Sequence, residues 1–304
     1  MIPMNTAPEQ HRQVPELNLI DYLAGTALEK QRFVDDFYQG LVEYGFIVLN
    51  PHEFDFDLVD ASYQAFKSFF KLPLATKQKY NIHDGGKRGY VPRLQEHAKN
   101  STNPDLKEFW HTGRALPEDS PYRATMADTP SVPEVPAFDE ATTALFDALD
   151  EMGREILEGV ALHLGLAEDW FDDKVNFGNS ILRLLHYPPQ QTPPPAGTVR
   201  AGAHEDINVI TLLLGAEEAG LQVLHSSGEW LDVNPPAGAL VINCGDMLQR
   251  LTGGVLPSTT HRVLNPSAER AKFPRYSTPF FLHFNQDYLI EALPRCVAEG
   301  GKAE

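Results

Sequence analysis

"GLQVLHSSGEWLDVNPPAGALVINCGDML", residues 220–248, decides the fold. Two strand-like runs, LQVLHSSGEWLDV and GALVINCGDML, are punctuated by Gly228, Gly238 and Gly245, and Pro235–Pro236 lies between them. The same texture extends on both sides. ILRLLHYPP begins at Ile181, NVITLLLG precedes the quoted stretch, and HRVLNP and RYSTPFFLHF follow it. Short strands broken by turn signals predict a double-sheet barrel or jelly roll, and not βαβ units. There is no Gly-rich phosphate loop, internal repeat or low-complexity tract, and the proline run at 188–195 reads as a bend or loop.

Upstream, the chain is mainly helical. Thr26 and Glu29 have capping-box spacing, Phe33, Phe37, Leu41 and Tyr44 recur every three or four residues, and Gly45 stops this helix before a strand at Phe46–Leu49. A second helix is expected from Asp57 to Lys71, with Leu58, Ala61, Ala65, Phe69 and Leu72 on one stripe and Pro73 ending it. Residues 81–136 read as loops rich in Gly, Pro and aromatics. A long amphipathic helix follows over Asp139–Leu164, with Leu145, Leu149, Met152, Ile156 and Val160 as core. The expected class is mainly β with α: a jelly roll flanked by N-terminal helices and one long central helix. The expected division is 1–125, 126–175 and 176–304.

Composition narrows the partners. The 304 residues carry 42 Asp+Glu against 25 Lys+Arg, a net charge of −17, which repels phosphate backbones and anionic membranes. Cys244 and Cys296 form no disulfide framework, there is no signal-peptide core, and no run of about 18 apolar residues exists. A cytoplasmic protein is expected, a monomer or weak homo-oligomer acting on a small molecule, with no nucleic acid and no membrane partner.

The chemistry begins at HEDINVITLLLG, residues 204–215. On a continuous strand His204 and Asp206 point to one side, roughly 6.5–7 Å apart, while Glu205 points away. Two convergent ligands make half a metal site. His261, 55 residues beyond Asp206, opens another short strand and is the best third ligand. Two imidazoles and a carboxylate suit the facial triad of non-haem Fe(II) oxygenases, but a zinc hydrolase accepts the same set. Fourteen residues after His261, Arg275 and Ser277 share a strand face. An inward guanidinium needs an anion, and a carboxylate engages it bidentately, with Ser277 adding a hydrogen bond.

His204-x-Asp206, His261 and Arg275-x-Ser277, with the strands between them, resemble the isopenicillin N synthase-like branch of the Fe(II)/2-oxoglutarate dioxygenases. The resemblance covers most of the chain, including the N-terminal helical region with the YGFIVL strand, and implies a catalytic double-stranded β-helix, a jelly roll, from about residue 180. It implies Fe(II) on His204, Asp206 and His261, with 2-oxoglutarate and O2 as cosubstrates. Arg275, Ser277 and Tyr187 are then expected to hold the 2-oxoglutarate carboxylate. It further implies oxidation, most simply hydroxylation, of an unactivated C–H bond with release of succinate and CO2. Some members of the branch oxidise or cyclise without 2-oxoglutarate, and another type forms ethylene from it. A halogenase is disfavoured, because such enzymes lack the carboxylate that Asp206 supplies. The chain departs from the plant pattern Asn-Tyr-Tyr at Leu185, His186 and Tyr187, and Glu205 stands where a small or hydroxyl residue is usual.

The expected substrate contacts come from the loops and the last strand: Arg88, Tyr90, Phe109, His111, Arg114, Phe281 and His283. A local cluster of Arg and His on an acidic protein suits a carboxylate-bearing substrate. The alternative reading of the same residues is ion pairing to nearby acids and packing. His163 and His225 are expected on the surface, and Gly245–Asp246 in a turn.

Overall fold

Alternating apolar residues build two facing sheets, and the site lies between them. The computed structural model describes residues 12–50, 56–83, 87–93, 107–189, 200–214, 220–236, 238–265, 267, 269–298 and 300–303. The N-terminal 11 residues, and the proline run from residue 190 onward, lie outside that set. The strands are β1 (Glu16–Asn18), β2 (Phe46–Asn50), β3 (Gly89–Val91), β4 (Glu108–Gly113), β5 (Ile181–Tyr187), β6 (Ala201–His204), β7 (Ile210–Leu214), β8 (Leu221–Leu224), β9 (Trp230–Val233), β10 (Leu240–Cys244), β11 (His261–Val263), β12 (Arg275–Ser277) and β13 (Pro279–Leu282). The large sheet runs β1-β2-β10-β7-β13-β5-β4-β3, with β12 also on β5, and the small one runs β6-β11-β8-β9.

The two-residue period of a strand sorts the side chains between two cores. Ile47 and Leu49 of β2, Leu240 and Ile242 of β10, and Ile210, Leu212 and Leu214 of β7 join the core that includes the helices Ala27–Tyr44 and Phe138–His163. Phe46, Val48 and Val241 face the other way, against Leu221, Val223, Leu231 and Val233 of the small sheet. β2 and β10 are covered on both faces, which is why each reads as a mainly hydrophobic run. Each large side chain so buried contributes about 1.5–3 kcal/mol.

The first helix forms as its sequence indicates. Its capping box is present, Phe33, Phe37, Leu41 and Tyr44 are buried, and Gly45 ends it in the left-handed region at φ 67°. All five core residues expected of the long helix are buried. The second helix, Phe56–Phe70, is rotated from expectation: Ala61 is exposed, while Ser62, Ala65, Phe66, Phe69 and Phe70 are buried. Ser62 tolerates this because its hydroxyl donates to the Ala141 carbonyl at 3.1 Å.

Four other expectations need correction. EFWHTG, expected as loop, is the fully buried strand β4; a strand sealed on both faces carries no alternation to betray it. His204 and Asp206 do not share a continuous strand, because β6 ends at His204 and the chain crosses to the other sheet before β7 begins. Gly245 is the N-cap of a helix over Asp246–Leu251, not part of a turn between strands. His225 is buried, with Nδ1 2.8 Å from the Ser227 hydroxyl. The large sheet draws strands from both the first and the last of the three sequence segments, since β2 pairs with β10 and β4 with β5. Among the described residues no helix is long and apolar enough to cross a membrane.

Candidate functional site

His204 and His261 are register partners on β6 and β11, directly opposite one another in the small sheet. Cross-strand placement brings their ring centroids to 4.3 Å. Asp206 reaches them from the crossover, with its carboxylate oxygens 3.8 Å from His204 Nε2 and 3.9 Å from His261 Nε2. One donor atom from each residue lies within 4.8 Å of the others. The crossover is anchored where the Asp206 carbonyl accepts from the Asp246 amide at 2.8 Å.

The surrounding bonds prepare these groups for a cation. His204 Nδ1 lies 2.8 Å from the Gly202 carbonyl and His261 Nδ1 lies 3.1 Å from that of Thr259. A carbonyl only accepts, so each Nδ1 carries the proton and each Nε2 keeps its lone pair. Burial pushes the His261 imidazole below its ordinary 6.5, which favours the neutral ligand form. Burial alone would raise Asp206. The neighbouring His261, hydrogen bonds from Thr211 and Asn243, and His204 outweigh it and hold the carboxyl below 3.8. Thr211 Oγ1 and Asn243 Nδ2 both donate to Oδ2, at 2.6 and 2.9 Å. Those two residues are register partners on β7 and β10. Two imidazoles and one carboxylate, each oriented by a second bond, fit a divalent metal such as Fe(II).

A cavity of about 500 Å³ opens over this cluster, lined also by Tyr187, Arg275, Ser277, Phe281 and Arg183. Arg275 faces Tyr187 across β12 and β5, Ser277 faces Leu185, and the guanidinium lies 5.5 Å from the Tyr187 ring centre. Arg275 and Ser277 are each 5% exposed and Tyr187 6%, so a carboxylate there is bound away from water.

The remaining expected contacts divide. Phe281 lines the cavity; the other six do not. Arg114 holds Asp150 through both terminal guanidinium nitrogens, at 2.5 and 3.0 Å, and Arg88 donates to Asn179 at 2.6 Å. Arg114 is thereby tied to the long helix and Arg88 to the residues just before β5. Tyr90 donates to Glu108 at 2.5 Å. His283 Nδ1 is 3.1 Å from the Phe281 carbonyl, and burial lowers its pKa. His111 accepts from Arg183 Nε at 2.6 Å, and Phe109 lies 4.6 Å beneath the same guanidinium. Glu205 turns to Thr260, whose hydroxyl donates to it at 2.5 Å. His163 stacks on Tyr38 at 3.7 Å.

Arg183, Lys107, Thr211 and Asn243 also line the cavity, and the sequence reading does not reach them. A signal for Arg183 exists: it precedes Tyr187 by four residues on β5, so the alternation that turns Tyr187 inward turns Arg183 inward too. Asn243, alone among apolar neighbours in LVINC, is a similar signal.

Comparison with known proteins agrees with this geometry. Residues 178–284 match the 2OG-Fe(II) oxygenase superfamily, and residues 17–135 match the N-terminal region described as non-haem dioxygenase in morphine synthesis. The 2-oxoglutarate-Fe(II) type oxidoreductase hxnY of Emericella nidulans is 33% identical over 94% of this chain and 84% of its own. A crystal structure of a protein from Caulobacter crescentus, described as of the 2OG-Fe(II) oxygenase family, is 50% identical, covers 94% of this chain and 92% of its own, and superposes with a TM-score of 0.87. A full-length Neurospora crassa protein, crystallised in complex with alpha-KG and thymine, is 29% identical, covers 95% and 91%, and has a TM-score of 0.83. The chain therefore belongs to the 2OG-Fe(II) oxygenases: it is a non-haem dioxygenase that uses Fe(II), 2-oxoglutarate and O2.

Proposed function

We propose that the protein hydroxylates an unactivated C–H bond of a small, carboxylate-bearing molecule, with His204, Asp206 and His261 holding Fe(II). Arg275, Ser277 and Tyr187 hold the far carboxylate of 2-oxoglutarate. The chemistry supplied by the bound group is oxidative decarboxylation of 2-oxoglutarate by O2, giving succinate, CO2 and an oxidant able to take hydrogen from carbon. The chain supplies the rest. Thr211 and Asn243 steady the Asp206 carboxylate, Arg275 and Ser277 orient the cosubstrate, and the apolar walls exclude water.

The observation that carries the substrate class is Arg183. Its guanidinium lines the cavity with the Nε–H donated to His111, and it lies 4.6 Å from the Phe109 ring centre and 5.5 Å from that of Phe281. Held this way, it is a second anion-facing group in the same cavity as Arg275. The expected role of Arg88 and Arg114 as substrate anchors passes to Arg183. A volume of about 500 Å³ shared with the cosubstrate suits a small molecule. The thymine bound by the similar Neurospora crassa protein supports the same size class. A net charge of −17 disfavours nucleic acid as substrate, and we place the enzyme in the cytoplasm as a monomer or weak homo-oligomer.

Anaerobic titration of the Fe(II)/2-oxoglutarate enzyme with a library of small acids tests this. A true substrate shifts the metal-to-ligand charge-transfer band and, on admitting O2, yields one succinate per oxidised product. The Arg183→Gln variant should lose that shift while keeping the band itself. Hits confined to uncharged compounds, unaffected by Arg183→Gln, would overturn the substrate class.

A further inference from the structure

β5 and β12 present the cosubstrate residues on one face and a buried polar cluster on the other. His186 and Tyr276 are register partners, stacked at 4.9 Å with rings 13° from parallel, and Phe70 covers the imidazole at 5.0 Å. Glu108 is the register partner of His186 on the next strand, β4. Its carboxylate is 2.8 Å from His186 Nδ1 and accepts from Lys77 at 2.7 and 2.9 Å and from Tyr90 at 2.5 Å. Glu108, His186 and Tyr276 thus form one row across three strands, turned away from the cavity.

This row sits beside the residues that need exact aim. Tyr276 lies between Arg275 and Ser277 in a strand of three residues that pairs only with β5 among the described strands. β13 continues the same register on β5, with Phe280 opposite Leu182, and is also paired with β7, so β12 is the end of that ladder held from one side only, where local opening is easiest. A stacked, hydrogen-bonded row on the back face opposes the lifting of β12 from β5.

We propose that Glu108, His186 and Tyr276 are positioning residues for 2-oxoglutarate, holding β12 against β5 so that Arg275 and Ser277 keep their aim into the cavity. The inference rests on the assignment of those two residues to the cosubstrate carboxylate. His186, which departs from the plant pattern, here has a function of its own on the face opposite Tyr187.

Calorimetric titration of the full chain with 2-oxoglutarate, under nitrogen with Mn(II), tests it on Tyr276→Ala, His186→Ala, His186→Phe and Arg275→Gln. Tyr276 is half-buried, so its variant keeps the fold even where His186→Ala does not. Tyr276→Ala and His186→Ala should raise the Kd for 2-oxoglutarate about tenfold or more, with Mn(II) affinity held, since small misplacements of a binding group cost that much. The KM for 2-oxoglutarate should rise more than kcat falls. His186→Phe keeps the stack and should recover part of the loss. An unchanged Kd in folded Tyr276→Ala, or Mn(II) affinity falling in step with it, overturns the proposal. If Arg275→Gln also binds 2-oxoglutarate normally, the carboxylate assignment itself has failed.

Discussion

The two corners of the cavity are built by different means. The metal corner joins two sheets: His204 and His261 come from the small sheet, and Asp206 from the crossover that leaves it. It is open on one side, with the His204 side chain 44% exposed while those of Asp206 and His261 are 9% and 10%, and each ligand is oriented by hydrogen bonds to backbone carbonyls or from Thr211 and Asn243. The anion corner lies within one sheet, where Arg275, Ser277 and Tyr187 are aimed by strand register and are nearly sealed from solvent. A cation site tolerates exposure because its ligands grip directly. A carboxylate site needs a dry wall, because water weakens the charge pair that defines it.

Breaking the dry corner should have the larger effect on ligand binding. Arg275→Gln is expected to weaken 2-oxoglutarate by about 2–5 kcal/mol, roughly 30- to several-thousand-fold, because it removes one partner of a buried charge pair. Fe(II) or Mn(II) affinity should not move, since Arg is no ligand. Calorimetry under nitrogen reads both, and wild-type 2-oxoglutarate affinity in this variant would favour an oxidase that works without it.

Ser277→Ala and Tyr187→Phe each remove one hydroxyl while the guanidinium stays, and about 1–3 kcal/mol is expected from each. The order Arg275, then Ser277 and Tyr187, is the signature of a carboxylate anchored chiefly by charge. An equal loss from all three would mean that register, not charge, dominates that corner.

At the metal corner, Thr211→Val deletes a donor to Asp206 Oδ2 without touching a ligand. Loss of such an orienting bond typically costs about 10–100-fold in metal affinity. Mn(II) titration followed by electron paramagnetic resonance should show it, with the fold retained and 2-oxoglutarate binding reduced only as metal occupancy falls.

The back of the anion corner should also reveal itself in acid. Burial would raise the pKa of Glu108, but hydrogen bonds from His186, Lys77 and Tyr90, with the charge of Lys77, outweigh it and bring the carboxyl from 4.5 to about 2. Between those values the unfolded chain binds a proton that the folded chain refuses. The stabilisation is therefore complete above 4.5 and is lost as pH falls towards 2. Urea midpoints measured across that window should fall in the wild type and fall less steeply in His186→Phe, which removes one of the bonds that depress Glu108. Parallel slopes would show that His186 does not hold that carboxylate.

Much of this is legible in the chain. The capping box at Thr26 and Glu29, the stop at Gly45 and the apolar period of the long helix are local signals, and local hydrogen bonding and burial honour them. Turn-punctuated short runs after Ile181 indicate two stacked sheets, and i, i+2 spacing puts Arg275 with Ser277 on one face. His204-x-Asp206 and His261 are recognisable as partners by residue type, although no continuous strand joins the first two.

Tertiary structure decided the rest, because it depends on which strands become neighbours. Pairing of β6 with β11 brings two histidines 57 positions apart to a ring separation of 4.3 Å, and no local pattern encodes that register. β4 is hidden in the sequence because a strand covered on both faces has lost the alternation that marks a half-buried one. The same pairing of β4 with β5 sets Glu108 beside His186, and Arg183 beside the cavity. Arg88 and Arg114 stand out in the sequence for their charge, a property of the residue. Whether a cation faces a ligand or an internal acid depends on its neighbours, and for Arg114 the nearer anion is Asp150.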